Sequence, residues 1–241
     1  MQDENRQSRQ TEALSPRRSP RRGRPTLDDG AALESQILEM ALDRFLEQGF
    51  DQTTVEAIAR PLRMTKRTIY VRYGSKASLF KAAASQAIER WVMPMDELRT
   101  LPEDNLEQLL RRVAEMRVAH QLSPHGTRVR RILREESSRF PELVEHAYKR
   151  ITLPLVEFIG AVLARHHERG EVIVERPKLA ASIFLAMVAG GASHKVSTVG
   201  VVPITPEIDD RMNYGLKLFL EGIRRKDRPR AEPGNEAPEP S

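Results

Sequence analysis

Residues 53–76 read TTVEAIARPLRMTKRTIYVRYGSK, and this stretch decides the fold of the chain. Its first half predicts a short helix that ends near Pro61, because proline lacks the amide donor and disfavours helical geometry in the residue before it. Thr65 can then cap a second helix, which carries Ile69 as its inward apolar residue. Two short helices joined by a tight turn predict a helix-turn-helix motif from Thr54 to Tyr73.

Hydroxyl side chains mark the starts of the neighbouring helices. Thr53 and Thr54 each offer an N-cap for the first helix of the motif, and Thr53 with Glu56 matches a capping box. Ser75 can cap a following helix that runs from Lys76 to about residue 92. These local signals predict helix starts close together along one short stretch of chain.

The remainder of the chain also follows the helical period. An apolar stripe precedes Gly49, a typical C-terminal stop, and its members are Leu33, Ile37, Leu38, Ala41 and Phe45. Further helices are predicted over 105–122, 126–139, 142–168, 178–197 and 206–225, with a kink at Pro154. The strand-like run 171–175 has no partner strand, so we interpret it as an extended linker. The sequence therefore predicts an all-α protein with an N-terminal three-helix helix-turn-helix domain and a C-terminal helical bundle.

The distribution of charge points to a nucleic-acid partner. The chain of 241 residues has a formal net charge of +5, which favours an anionic partner. From Ala57 to Ile88 there are seven Lys or Arg residues and no Asp or Glu. A solvated basic surface, with Tyr70 merely packed, would also fit this charge block. The caps, the turn and the inward apolar residues at matching spacing favour a DNA-binding domain instead.

One face of the second helix is predicted to read DNA bases. If Ile69 faces the core, Arg67 and Val71 lie nearly opposite it, flanked by Thr68 and Tyr70. Arg67 could fork onto the O6 and N7 atoms of a guanine, and Thr68 or Val71 could touch a thymine methyl group. The side chains that can reach phosphates around this face are those of Lys66, Tyr70 and Arg72. Thr54 and Lys76 lie at helix N-termini, where backbone N–H groups also favour a phosphate oxygen.

Composition and spacing argue against several other classes of protein. The chain has no cysteine, which excludes disulfide scaffolds, thiol catalysis and cysteine-ligated zinc. The longest apolar run, Ile183 to Ala192, is too short to span a membrane, and the N-terminus lacks an apolar signal region. No nucleophile elbow, phosphate-binding glycine loop or metal-ligand spacing is present, so we expect no enzyme activity, cofactor or metal. A reducing cytoplasm fits this composition.

Both ends of the chain have compositions typical of disordered segments. Residues 1–29 form a basic arm, and residues 226–241 form a proline-rich tail. Arg22 and Arg24 flank a glycine as in an AT-hook, so the arm could enter a narrow A·T minor groove. Two alternatives stay open: a generic basic tail that adds phosphate attraction, and an architectural minor-groove protein driven by the arm.

The sequence of residues 31–90 resembles the DNA-binding domain of the TetR/AcrR family of bacterial regulators. The resemblance rests on ILxxAxxxFxxxGF, TTVxxIA, TIY and YGSKxxLF, as they stand here. It implies DNA contacts at Thr54, Lys66, Arg67, Thr68, Tyr70 and Lys76. The small residue and glycine usual in the turn are Leu62 and Arg63 here, and the acid usual after Ser-Lys is Ala77. Because a left-handed residue other than glycine costs about 1–2 kcal/mol, we expect a different turn conformation.

The C-terminal part resembles, more loosely, the AefR-type branch through RILREESSRFPEL at residues 131–143. The resemblance implies domains at 30–92 for DNA and 95–225 for an effector and dimerisation. It also implies a bacterial, nucleoid-associated repressor that binds double-stranded operator DNA as a homodimer. A small-molecule effector would release this repressor from the DNA.

The residues of the last two helices independently suggest a dimer interface. One stripe contains Ile208, Met212, Leu216, Phe219 and Ile223, and another contains Ile183, Met187, Gly190 and Gly191. The alternative is that both stripes serve only the internal core. His120, His166 and His194 lie on apolar helical faces, where they could contact an effector or be ordinary hydrogen-bonded core histidines.

Overall fold

The structure is a computed structural model that describes residues 27–190 and 205–224. Within these ranges the backbone is helical apart from turns, short connections and one isolated bridge between Val172 and Arg224. No described helix is both long enough and apolar enough to cross a membrane. The predictions for Arg22, Arg24, Gly191, His194 and the tail 226–241 fall outside the described residues.

The helices confirm the all-α fold class. They are α1 (Leu27–Gln52), α2 (Val55–Ala59), α3 (Lys66–Tyr73), α4 (Lys76–Arg90), α5 (Met95–Arg99), α6 (Leu106–Leu122), α7 (Pro124–Glu136), α8 (Pro141–Ala147), α9 (Leu153–Glu168), α10 (Pro177–Ala189) and α11 (Pro206–Ile223). A π-helical turn, Tyr148–Thr152, joins α8 to α9.

Three differences from the sequence-based prediction concern proline. The helix expected at 126 begins at Pro124, because Ser123 caps it and proline is favoured in a first helical turn. The stretch 142–168 is not one α-helix, since the π turn precedes Pro154, whose ring would clash with an α-helical carbonyl four residues back. The short helix α5, whose N-cap is Pro94, lies in a stretch for which no helix was predicted.

The cap at the start of α2 differs from the capping-box prediction. Thr54, not Thr53, is the N-cap, and its side chain accepts a hydrogen bond from the amide of Ala57. The hydroxyl of Thr53 is buried and donates to carbonyl oxygens at the end of α1, those of Arg44 and Gly49. The capping-box assignment of Thr53 was therefore wrong, because its hydroxyl is bonded to carbonyl oxygens of the preceding helix α1.

Two hydrophobic cores hold the described residues together. One is formed by α6, α9, α10 and α11 with neighbouring segments, and the other surrounds α1 to α4. The second core also takes in residues of α7, α8 and the π turn, among them Val129, Leu143 and Ile151. The predicted boundary at 92–95 stays a prediction, but the N-terminal core extends well beyond it.

An aromatic cluster joins the N-terminal helices to α8. Phe45 and Phe80 meet edge to face at 5.0 Å, and Phe140, just before α8, lies 4.7 Å from Phe80. Phe50 contacts all three rings at 5.2–5.7 Å between centroids. Because interiors are closely packed, a shift of α8 must be felt by α1 and α4.

The turn between α2 and α3 is left-handed at Arg63, which has φ 53°. The amide of Met64 donates to the carbonyl of Ala59 at 3.0 Å, and that of Arg63 to Arg60 at 3.1 Å. This is the Schellman pattern of hydrogen bonds. The expectation of a different turn conformation was wrong, because these bonds and the burial of Ile69 beyond the turn hold Arg63 in place.

Replacing Arg63 by glycine should stabilise the protein. We expect Arg63→Gly to raise the free energy of unfolding by about 1 kcal/mol, because glycine removes the steric penalty but adds freedom to the unfolded chain. The matched control Arg60→Gly, at φ −57°, should lower it by about 0.5–1 kcal/mol. Urea denaturation measures the free energy of unfolding of both variants. An equal decrease in the two variants would contradict the left-handed turn at Arg63.

Candidate nucleic-acid interface

The exposed face of α3 follows from how the helix is anchored. Thr65 caps α3 by accepting a hydrogen bond from the amide of Thr68 at 3.1 Å. Ile69 is 1% exposed and belongs to the N-terminal core, which fixes the rotation of the helix about its axis. Val71, nearly opposite, is 80% exposed. The helix therefore presents a continuous surface directed away from the protein.

The four residues predicted to read bases all lie on this exposed surface of α3: Arg67, Thr68, Tyr70 and Val71. Within the described chain the guanidinium of Arg67 has no hydrogen-bond or ion-pair partner, so it is available to an external acceptor. The hydroxyl of Thr68 lies 2.8 Å from that of Thr65. Contact of these four side chains with bases stays a prediction.

Two of the cations predicted to contact phosphates are paired with carboxylates. The ammonium of Lys66 lies 2.6 Å from the carboxylate of Glu56 and 5.6 Å from the centre of the Tyr70 ring. Their hydrogen bond lowers the pKa of Glu56 and raises that of Lys66. Arg72 lies 3.5 Å from the carboxylate of Glu34. These pairs are exposed, so phosphate oxygens can replace the carboxylates at little cost.

The structure assigns Lys76 to a role that the sequence did not indicate. Its ammonium donates hydrogen bonds to three backbone carbonyls in the last turn of α1 and just after it, those of Phe50 at 2.9 Å, Asp51 at 3.2 Å and Thr53 at 3.0 Å. It also lies 4.6 Å from the centre of the Phe50 ring. A phosphate contact by this ammonium stays a prediction that requires these bonds to be exchanged. The long sequence separation explains why the pattern gave no signal.

Polar contacts connect the N-terminal helices α1 and α4 to the segments around α8. Arg139, beyond α7, donates to both carboxylate oxygens of Asp51, at 2.7 and 2.9 Å, and its hydrogen bond lowers the pKa of Asp51. Arg150 in the π turn donates to Glu89 of α4, whose pKa is likewise lowered. The guanidinium of Arg139 also lies 4.7 Å from the centre of the Phe50 ring, beside the aromatic cluster. These contacts tie the position of the N-terminal helices to that of α7 and α8.

The candidate effector histidines have different surroundings. His166 is buried and bonded on both sides, with Nδ1 paired to the carboxylate of Glu171 and Nε2 2.9 Å from the carbonyl of Glu103. These contacts fit a core histidine. His120 stacks on Trp91 at 5.1 Å and its buried Nδ1 has no partner, while burial lowers its pKa to about 4. Among the described residues no group of three metal-ligating side chains is brought together.

Two family models match the sequence. The model described as "Bacterial regulatory proteins, tetR family" matches residues 37–83, which include α2 and α3. The model described as "AefR-like transcriptional repressor, C-terminal domain" matches residues 108–221. Together they cover more than half of the chain.

Individual proteins agree with these matches. The HTH-type transcriptional regulator Rv1556 of Mycobacterium tuberculosis is 30% identical over 142 residues, which are 58% of this chain and 65% of that protein. The chain thus spans less than two thirds of that relative's length. The HTH-type transcriptional regulator YdeS of Bacillus subtilis is 39% identical over 75 residues, 31% of this chain and 36% of its own. Both are described as transcriptional regulators rather than enzymes.

Solved structures share the fold. The "Flavonoid-responsive Regulator FrrA" is 27% identical with a TM-score of 0.60, covering 83% of this chain and all of that chain (100%). A TetR family transcriptional regulator from Pseudomonas syringae has a TM-score of 0.61 at 20% identity, covering 83% of this chain and 99% of its own. At that identity the likeness supports the fold alone.

Proposed function

We propose that this chain, which belongs to the tetR family of bacterial regulatory proteins, is a repressor released from its operator by a small molecule. The observation that carries the proposal is the exposed face of α3 opposite buried Ile69, with Val71 outermost and Arg67 without a partner among residues 27–190 and 205–224. An α-helix fits the major groove of B-DNA, where each base pair shows a distinct pattern of donors and acceptors. Because its target is chromosomal DNA, we expect it at the nucleoid in the bacterial cytoplasm.

Each side chain of the interface then has a separate task. Arg67 would donate to a guanine edge, and Thr68 or Val71 would contact a thymine methyl group. Lys66 and Arg72 would exchange Glu56 and Glu34 for phosphate oxygens, a step that adds affinity but no sequence information. Tyr70 and the helix start at Thr54 would add phosphate contacts from uncharged groups. This division separates residues that specify a sequence from residues that only position the helix.

Substitutions of Arg67 and Lys66 test this division. The operator is the duplex that the full chain selects from a random pool. We expect Arg67→Ala to lose about 1–3 kcal/mol of binding free energy on it, concentrated at one base position. The matched variant Lys66→Ala should weaken binding to operator and random DNA by similar factors. Gel-shift titrations at fixed salt measure both. Equal losses by both variants on both duplexes would contradict the assigned roles.

The dimer interface that we propose is not the stripe that the sequence suggested on α11. Those residues, Ile208, Met212, Leu216, Phe219 and Ile223, are all buried in the core of their own chain. Helix α11 packs closely on α10, since a Cβ on Gly215 of α11 would lie 3.5 Å from the backbone of Met187 of α10. This burial supports the alternative, an internal role, for the stripe on α11.

A different apolar surface on the same two helices remains exposed. It consists of Leu179 and Ile183 on α10 and Tyr214 and Leu218 on α11, which we call the outer face. Phe184 of α10 packs on Phe219 of α11, and Met187 of α10 lies beside Gly215 of α11. Residue numbers thus rise along α10 as they fall along α11, so the two helices are antiparallel. In this arrangement the two exposed pairs lie on the same side of the helix pair. Covering this face with its copy gives a twofold dimer, the symmetry that a palindromic operator requires.

A charge placed on the outer face should separate the dimer. We expect Leu218→Glu to convert dimer to monomer and to weaken operator binding by about a hundredfold or more, because the two half-sites no longer bind together. Val144→Glu on α8 is the matched control, since both side chains are 43% exposed. Light scattering after size exclusion measures the mass. A Leu218→Glu variant that stays dimeric, or a control that dissociates equally, would contradict this interface.

The effector would act on the geometry between the two α3 helices. It can weaken operator binding only by preferring a state whose α3 spacing no longer matches the DNA. Support comes from the AefR-like match in the C-terminal half and from FrrA, which is described as flavonoid-responsive. The links from Arg139 to Asp51 and from Arg150 to Glu89 offer a physical route between the halves.

A further inference from the structure

A buried cation lies in the C-terminal half of the chain. Arg117 is on α6, among the fully buried side chains of Val113, Ala114 and Val118, and it is itself only 8% exposed. Burial, together with the nearby charge of Arg130, lowers the pKa of its guanidinium to about 10. The group therefore still carries its positive charge at neutral pH.

No carboxylate in the described chain neutralises Arg117. Its Nε and Nη1 atoms are buried without a hydrogen-bond partner. Only Nη2 is engaged, by the side-chain oxygen of Gln121 at 3.2 Å in the amide orientation that also lets Gln121 donate to the carbonyl of Ala189. Folded proteins pair nearly all buried polar groups, and an apolar residue of similar size would be less costly here. The arginine therefore needs an explanation other than stability.

Two further buried nitrogen atoms without partners belong to neighbouring side chains. They are Nη1 of Arg130 on α7 and Nδ1 of His120, one turn after Arg117 on α6. The pKa of His120 is lowered to about 4, so the imidazole is neutral at pH 7 and can donate one hydrogen bond. Arg117 and Arg130 supply positive charge. Together the three side chains offer donors and charge to an anion and provide no negative charge of their own.

We propose that Arg117, Arg130 and His120 bind the carboxylate of an organic acid and that this acid is the effector. A carboxylate has two oxygens and about four acceptor positions, enough for the unpaired N–H groups. The neighbours of Arg117 on α6 are fully buried, so the site opens only when the helices around it separate, and the body of the acid then lies against apolar side chains. The assignment of the acid as effector rests on the proposed function, whereas the carboxylate site itself does not.

The site lies where binding can be transmitted to the DNA-binding helices. Trp91 directly follows α4, its Nε1 donates to the carbonyl of His120 at 3.0 Å, and its ring centre lies 6.0 Å from the guanidinium carbon of Arg117. Gly126 lies against this contact and leaves no room for a side chain, because a Cβ there would lie 2.7 Å from Nε1 of Trp91 and 2.6 Å from the carbonyl of His120. Trp91 therefore links Arg117 to the end of α4, whose other end follows α3.

The test uses the full chain and the fluorescence of Trp91, the one tryptophan in the sequence. Octanoate and benzoate are the probes, and octan-1-ol and benzamide are their uncharged counterparts. We expect at least one acid to change the fluorescence saturably and to raise Tm, and its counterpart to bind at least about tenfold more weakly. Inorganic phosphate is titrated in parallel, and tighter binding of phosphate than of both acids would overturn the choice of a carboxylate.

Substitution of Arg117 separates a binding role from a structural one. Arg117→Met should weaken binding of the acid by at least about tenfold, yet raise Tm of the free protein by about 2 °C or more, since a buried unpaired charge is removed. Arg112→Met is the control on the same helix, because Arg112 is exposed and paired with Glu115. If Arg117→Met does not fold, Arg130→Met at a half-buried position tests the same loss of binding.

Two outcomes overturn the carboxylate site. In the first, neither acid binds the wild-type chain. In the second, Arg117→Met binds the acid as tightly as Arg112→Met does. A gel-shift titration with the selected operator then tests the role as effector. Release of DNA by the acid supports that role. Binding of the acid without release retains the site and overturns the regulation. Absence of specific DNA binding by the wild-type chain overturns the proposed repressor and leaves the fluorescence result standing.

Discussion

Burial of Ile69 is the constraint on which the rest of the structure depends. A fully buried isoleucine contributes about 1.5–3 kcal/mol, enough to fix the rotation of a helix as short as α3. Once that side is fixed, Arg67 and Val71 must point outward. The left-handed Arg63 places α3 at the angle that brings Ile69 to the core. An interface that selects bases needs such a fixed orientation, because its hydrogen bonds tolerate little displacement.

The structure also connects what α3 can do to the state of the C-terminal half. The cluster around Phe50 and the pair between Asp51 and Arg139 hold α8 and its surroundings against α1 and α4. At the other end of α4, Trp91 packs on His120. A rigid helix with contacts at both ends transmits a displacement, whereas a flexible linker would absorb it. Dimerisation through the outer face would convert that displacement into a change of spacing between two copies of α3.

Much of the fold could be predicted from local signals, and the failures share one physical cause. The caps at Thr65 and Ser75 were confirmed, and α1 is interrupted at Gly49, where φ is 75°, although helical residues continue to Gln52. Each of these signals depends on residues within a few positions. The exposure of the α3 face was predictable from helical periodicity. The hydroxyl of Thr53 was misjudged because carbonyls of the preceding helix compete for it, and the ammonium of Lys76 was missed because its partners lie more than twenty residues away. Arg117 gave no signal, since only the folded structure shows that it is buried without a carboxylate.

The position of α3 on DNA can be measured directly because the chain has no cysteine. An iron chelate attached to a Val71→Cys variant of the full chain cleaves the DNA next to that residue, and the same chelate on Val144→Cys serves as control. The account predicts two short cleavage clusters on the operator, centred about 10 base pairs or a multiple of that apart, one for each subunit. Cleavage spread evenly along the duplex, or no more at residue 71 than at residue 144, would contradict it.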